Sequence, residues 1–249
     1  MFGDYLLLAL IGFFAQIIDG ALGMAFGVVS TTALLTVGIP PAQASAIVHT
    51  AEIFTTGASA ASHVYHRNVD KRLVIRLGIA GVIGAVLGAW VLANVDASAA
   101  RPFVAFYLSV IGAFILFKAW HLPKPREAPA IWTAPVGFVA GFLDASGGGG
   151  WGPVSTTTLI GSGHAPRTTV GSVNATEFFV TVAAATTFFV ELGAVPWREL
   201  LALVAGGVLA APLGGYVVKR ISARTLMVMV GCLIIALSVW QIVRWLKVI

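Results

Sequence analysis

Two stretches of the chain each place one carboxylate, several glycines and at least three hydroxyl groups inside apolar sequence, at residues 19–32 and 144–157. Glycine lets a backbone approach a ligand closely, and amides at a helix start carry partial positive charge. Together with the hydroxyls they would form a cradle for a small oxyanion. The residues predicted to bind the substrate are Gly23, Gly27, Ser30, Thr31, His49, Gly148, Gly149, Gly150, Trp151, Gly152, Ser155, Thr156 and Asn174.

A structural reading of the same stretches stays open. The glycines would then serve close helix packing, and the hydroxyls would bond to the carbonyl four residues earlier. On the ligand-binding reading, the free amides belong to residues 27–30 and 152–155. Because the pattern occurs twice, the sequence favours the ligand-binding reading.

Four carboxylic acids lie in apolar segments. Asp19 and Asp144 precede the helix starts and are predicted to cap them by accepting hydrogen bonds from the following amides. Glu52 and Glu177 are predicted to serve in proton coupling or gating, because acids inside a membrane segment are functional candidates. A fixed negative charge would oppose an anion, so we expect these glutamates to be neutral when substrate is bound.

His49 and Glu52 lie one helical turn apart, and Asn174 and Glu177 take the same places in the second copy. A metal site needs more ligands than this pair offers, so we predict neither a metal nor another cofactor. Cys232 has no acid or base near it in the sequence, and no Ser-His-acid set recurs. An enzymatic role is therefore not expected.

The composition indicates an all-α integral membrane protein. Hydrophobic residues make up 58% of the chain and charged residues 10%, whereas soluble domains contain roughly 25% charged residues. The basic residues behind the net charge of +5 are concentrated in particular loops. This distribution indicates orientation in a lipid bilayer rather than binding to nucleic acid.

The apolar segments form two similar halves within one membrane domain, residues 1–126 and 127–249. Each half is predicted to contain a re-entrant or broken helical hairpin followed by three membrane spans, because a span needs about 20 apolar residues. The predicted elements are hairpin 5–38 with spans 42–62, 77–93 and 102–120, and hairpin 132–163 with spans 167–190, 199–217 and 225–245.

An internal duplication underlies these halves. Residues 12–56 align without a gap to 137–181, with 17 identities in 45 positions. The identities include Asp, Pro and Glu residues, which apolar bias alone does not produce in one register.

The charges of the loops set the orientation of the halves. Residues 63–76, 118–131 and 219–224 hold ten of the fifteen Lys and Arg residues and are placed in the cytoplasm. The loop equivalent to 63–76 is 191–199, which is net negative and is placed outside. The halves are therefore predicted to be inverted, with three net crossings each and both termini outside.

The sequence resembles the TauE/SafE family of sulfite exporters and sulfonate permeases. The resemblance rests on the Gly-Phe-x-Ala-x-x-x-Asp motif of residues 12–27, on its echo with the Gly-Gly-Gly-Gly-Trp-Gly-Pro tract at 137–153, and on the Thr-Glu tract of 172–181. It implies a bacterial inner-membrane secondary transporter of sulfite, thiosulfate, sulfoacetate or related sulfonates, coupled to protons or sodium. The first copy lacks the full glycine run and the proline, so the half-sites are expected to be unequal.

Two questions stay open at this stage. The first is whether the protein is a carrier, alternating its access around a midplane site formed by the two breaks, or a passive anion channel of the same architecture. The second is whether the protein forms a homodimer.

Overall fold

The computed structural model describes residues 2–121, 132–162, 164–211 and 222–248. The secondary structure in these ranges is helical, without β-strands. The helices are α1 (Phe2–Leu22), α2 (Phe26–Thr36), α3 (Pro41–Tyr65), α4 (Lys71–Asn94), α5 (Ala97–Trp120), α6 (Thr133–Gly147), α7 (Trp151–Gly161), α8 (Pro166–Leu192), α9 (Trp197–Ala210) and α10 (Ala223–Val248).

Four of the described helices are long and apolar enough to cross a membrane, and they belong to α4, α5, α8 and α10. The architecture is therefore that of a multi-pass membrane protein. Several predicted features lie partly outside the described residues: the boundary between the halves at 126 and 127, the ends of hairpin 132–163 and span 199–217, and most of loops 118–131 and 219–224.

Two helices begin earlier than the apolar pattern predicts. α4 starts at Lys71 rather than at residue 77, because the Asp70 carboxylate accepts a 2.8 Å hydrogen bond from the Arg72 amide. α5 starts at Ala97 rather than at residue 102, because Asp96 caps it in the same way. Capping extends a helix into polar sequence, which a count of apolar residues does not detect.

Each half packs its first helix against the fourth helix of the other half, so that α1 lies on α9 and α6 lies on α4. Glycines make these contacts close. A side-chain carbon at Gly141 would collide with the backbone of Gly81, and one at Gly12 would collide with the backbone of Leu203. Small residues at helix interfaces in membranes allow such backbone approach.

The equivalent helices α3 and α8 pack together in the middle of the molecule and run antiparallel. Ser59 of α3 donates a 3.0 Å hydrogen bond to Asn174. Asp70 comes after Ser59 in the chain, and its amide donates a 2.9 Å bond to Ser172, which comes before Asn174. This order of contacts shows that the two helices run in opposite directions. α5 and α10 form a second antiparallel pair, in which the end of α5 meets the start of α10.

Candidate functional site

The two helix breaks touch each other in the interior. A side-chain carbon at Gly149 would lie 2.5 Å from the amide nitrogen of Val28 and 2.7 Å from the carbonyl carbon of Gly27. A side-chain carbon at Gly152 would collide with the carbonyl oxygen of Gly23. Backbone therefore lies directly on backbone, and we call residues 23–28 and 148–152 the crossing.

The first break is closed by Asp19 of α1. One carboxylate oxygen, Oδ1, accepts hydrogen bonds from the amides of Ala25 (2.8 Å) and Phe26 (3.3 Å). Gly23 takes a positive φ of 66° at the turn, a conformation that glycine adopts without a steric penalty. The carboxylate therefore caps the first turn of α2 from across the break.

The second break is closed by Asp144, which makes more contacts than Asp19. Its Oδ1 accepts a 2.9 Å hydrogen bond from the Trp151 amide at the start of α7. Its main-chain oxygen accepts a 2.9 Å bond from the amide of Gly149. Its Oδ2 lies 3.1 Å from Nε2 of His49 on α3, which joins the break to the central helix pair.

The His49–Asp144 pair holds a proton between its two members. Nδ1 of His49 lies 2.8 Å from the carbonyl oxygen of Ser45, and a carbonyl only accepts, so Nδ1 carries a hydrogen. Nε2 then either donates to an ionised Asp144 or accepts from a protonated one. In both cases one proton lies on the line that joins the two side chains.

Two hydroxyl groups fasten the second break to its surroundings. The Tyr107 hydroxyl of α5 donates a 2.9 Å bond to the carbonyl of Gly149, and Thr31 of α2 donates to the carbonyl of Gly148. Sequence reasoning missed Tyr107, which lies outside the duplicated segment. The available signal was a tyrosine hydroxyl within an otherwise apolar span, since such a group needs a partner when buried.

A small cavity lies at the crossing and is lined by the four predicted acids, Asp19, Glu52, Asp144 and Glu177. Its volume is about 10 Å³, roughly the space of one water molecule. Among the described residues, one oxygen of Glu52 and one of Glu177 are buried without a hydrogen-bond partner. The other lining residues are Met24, Ala25, Gly27, Val28, Gly150, Trp151, Gly152 and Pro153.

Three of the six hydroxyls that follow the breaks bond to their own helix. Thr32 donates to the carbonyl of Val28 at 2.5 Å, and Ser155 and Thr157 also donate to the carbonyl four residues earlier. These bonds agree with the structural reading of those three residues. In the described part of the chain, the hydroxyls of Ser30 and Thr156 are buried without a partner, but neither residue lines the cavity.

Fewer amides are free at the crossing than the sequence predicts. Val29 and Val154 donate to carbonyls of the breaks, at 3.1 and 3.0 Å. The amides of Gly27, Val28 and Gly152 have no acceptor within the described ranges. The free amides are therefore confined to the first turn of each short helix.

The equivalent residues His49 and Asn174 have different roles. Asn174 accepts a bond from Ser59 and donates to the carbonyl of Val170, and neither it nor His49 lines the cavity. His49, Glu52 and Asp144 bring three ligand atoms within 4.8 Å of one another, which a metal ion would require. The hydrogen bond between His49 and Asp144 accounts for the closeness of two of these three atoms, and the absence of a metal site stays a prediction.

Comparison with known proteins gives two matches. A family model described as "Sulfite exporter TauE/SafE" matches residues 8–240. A curated protein of Bacillus subtilis (strain 168), "Probable membrane transporter protein YtnM", is 40% identical over 243 residues, which covers 92% of this chain and 80% of the relative. No solved structure matches the chain.

Proposed function

The chain belongs to the sulfite exporter TauE/SafE family and is a membrane transporter rather than an enzyme, and we propose that it is a secondary transporter of small sulfur-containing anions. The proposed substrates are sulfite, thiosulfate, sulfoacetate or a related sulfonate. The proposed mechanism is alternating access around the crossing. The observation that carries this proposal is the contact between two helix breaks in one buried, acid-lined cavity.

The proposed architecture is an inverted repeat. It is supported by the antiparallel packing of α3 on α8 and of α5 on α10, since these are equivalent helices of the two halves. A rotation that exchanges antiparallel membrane helices has its axis in the membrane plane. Such axes relate the halves of many secondary transporters, whose substrate sites lie near the midplane at broken helices.

Each broken pair is proposed to be a re-entrant hairpin. For α6–α7, the support is that α7 leads into Arg167, which bonds to Asn68 in the basic loop at 2.6 Å. α6 runs parallel to α4, which also starts at that loop. For α1–α2, the support is that the carbonyl of Gly38, just after the end of α2, accepts a 2.9 Å bond from Arg101 on the opposite side of the membrane.

This arrangement leaves α3, α4, α5, α8, α9 and α10 as the six proposed spans. With the basic loops in the cytoplasm, both termini lie outside the bacterial inner membrane. Because each half spans the membrane an odd number of times, the two hairpins enter from opposite sides of the membrane. They meet at the crossing, from which each hairpin opens toward its own side of the membrane.

The described conformation is closed. A cavity of about 10 Å³ admits one water, so a sulfur oxyanion enters only when the two hairpins move apart. We propose that the amides of Gly27, Val28 and Gly152 and the hydroxyls of Ser30 and Thr156 then bind the anion. This grouping is supported by their buried position and by their lack of other partners in the described structure.

Glu52 and Glu177 are proposed to carry the coupling proton or to bind a coupling sodium ion. Both line the cavity, both are buried, and each has one oxygen without a partner among the described residues. Neutral glutamates would admit an anion, whereas charged ones would repel it. A proton or sodium ion bound at the glutamates would neutralise them and thereby favour binding of the anion beside them.

The test is transport by the purified protein in liposomes. Under an imposed proton or sodium gradient, we expect saturable accumulation of labelled sulfite, thiosulfate or sulfoacetate. We expect Glu52→Gln and Glu177→Gln to abolish gradient-driven accumulation and to leave exchange of anion for anion. The matched control is Glu191→Gln. Glu191 lies near the end of α8, and its exposed carboxylate accepts a hydrogen bond from Asn94.

Two results would contradict this proposal. Failure to accumulate any of the three anions under either gradient would exclude coupled transport of these substrates. Flux that does not saturate, and that both glutamine variants leave unchanged, would identify a passive anion channel of the same architecture instead.

A further inference from the structure

A second cavity in the described chain lies away from the crossing, at the far end of α2. It has a volume of about 210 Å³. The end of α2, the start of α5 and the end of α10 enclose it, and we call it the α2-end pocket. Its lining residues are Leu35, Thr36, Gly38, Arg101, Pro102, Ala105, Trp240, Gln241, Arg244 and Trp245.

The lining of the α2-end pocket is positively charged. Among the described residues, it includes two arginines and no acidic residue. Arg101 donates one 2.9 Å bond to the carbonyl of Gly38, which leaves the other N–H groups of its guanidinium for a ligand. Two tryptophans complete the wall. A guanidinium matches the oxygens of a carboxylate, sulfonate or phosphate group.

The pocket is also joined to α2, the helix that reaches the crossing. The Gln241 side-chain amide donates to the carbonyl of Thr32 and to the hydroxyl of Thr36, both at 3.1 Å. α2 has 11 residues, a length of about 16 Å. A ligand in the α2-end pocket would therefore lie one short helix away from the acid-lined cavity.

Capping of α2 accounts for only part of this arrangement. Arg101 alone supplies the bond to Gly38 at the end of the helix. Arg244 adds a second positive charge, and the side chains of Trp240 and Trp245 remain 55% and 37% exposed. Exposed aromatic side chains beside cations are typical of the membrane interface.

We propose that the α2-end pocket is an anion-binding site, separate from the crossing, that takes a group bearing sulfonate-like or phosphate-like oxygens. The occupant is either a free oxyanion or the phosphate of an anionic lipid, since both present the same chemistry to the two arginines. The proposal rests on the charges of this pocket and stands independently of the proposed function at the crossing.

The test uses the purified full chain and two probes. Calorimetric titration with sulfate at low salt measures a free anion, and native mass spectrometry with phosphatidylglycerol against phosphatidylcholine measures a lipid phosphate. For Arg244→Gln we expect roughly tenfold weaker binding of at least one probe, since a hydrogen bond to a charged group contributes about that factor. Arg198→Gln is the control, because Arg198 is exposed at the start of α9 and does not line the pocket.

The two probes identify the occupant. A loss confined to sulfate identifies a free anion, a loss confined to phosphatidylglycerol identifies a lipid, and a loss of both shows that either one enters. Arg244→Lys keeps the charge but not the planar fork and is expected to bind with intermediate affinity; it also replaces the glutamine variant if that variant fails to fold. Unchanged binding of both probes to the Arg244 variants, or no binding to the wild type, overturns the proposal.

Discussion

The two breaks are copies of one sequence, yet the second is held by more contacts than the first. Asp19 accepts two amides of its own half, and its side chain makes no other hydrogen bond within the described structure. Asp144 caps α7 and also pairs with His49 of the other half, while Tyr107 bonds to Gly149. We therefore expect the second break to be the fixed half of the crossing and the first to be the half that is freer to move.

The largest expected effect comes from Gly149→Ala. Gly149 has a φ of 146°, and a side-chain carbon there would lie 2.5 Å from the Val28 amide. Backbone cannot yield as a flexible side chain can, so we expect the loss of more than about 4 kcal/mol, and with it the folded protein. Size-exclusion chromatography of a fluorescent fusion measures the folded fraction.

Gly193→Ala is the matched control for that substitution. Gly193 also has a positive φ, of 73°, but nothing lies within 4 Å of the added carbon. Only the conformational cost remains, about 1 kcal/mol. Equal yields and melting temperatures for the two alanine variants would show that the breaks do not touch.

A smaller effect is expected from exchanging the acids for their amides. Asp144→Asn leaves an oxygen for the Trp151 amide but removes the carboxyl oxygen that shares a proton with Nε2 of His49, at a cost of about 1.5–3 kcal/mol. Asp19→Asn keeps the one acceptor oxygen that Ala25 and Phe26 use, and is expected to cost less than about 1 kcal/mol. Thermal unfolding in detergent measures both. If Asp19→Asn is the more damaging change, the assignment of the fixed half is wrong.

A smaller effect than that of Asp144→Asn is also expected from Tyr107→Phe. The ring stays packed against Gly147 while the hydroxyl bond to Gly149 is lost. The expected cost is about 1 kcal/mol, or a melting temperature lower by roughly 2–4 °C. Ser109→Ala is the control on the same helix, since Ser109 bonds only to the Ala105 carbonyl of its own helix. If Tyr107→Phe lowers the melting temperature no more than Ser109→Ala does, the Tyr107 hydroxyl does not stabilise the break.

The sequence predicted the positions of the two breaks because the duplication repeats them in one register. The predicted free amides at 27–30 and 152–155 also lie at the starts of the two short helices, which begin at Phe26 and Trp151. These features depend on local residues: glycines that leave the helix and an acid that can cap the next one. Membership of the TauE/SafE family was likewise apparent from the glycine and aspartate motifs.

The sequence predicted that the two breaks form one midplane site, but not that their backbones lie directly against each other, because that contact joins residues more than 100 positions apart. It also did not predict which member of the pair His49 and Asn174 would reach an aspartate. The position is equivalent in both halves, but only the imidazole pairs with the carboxylate across the crossing, whereas Asn174 bonds to Ser59. Such differences arise from packing between the halves rather than from the pattern within each.

The contact of Gly149 with the backbone of Gly27 and Val28 also bears on how the two hairpins move. Well-packed interiors interlock their side chains, and motion there must pass through discrete rearrangements of rotamers. Gly149 and Gly27 bring backbone against backbone without side chains that interlock. One short helix is therefore expected to slide past the other with little resistance. The hydrogen bonds of Asp144, His49 and Tyr107 are expected to limit that motion.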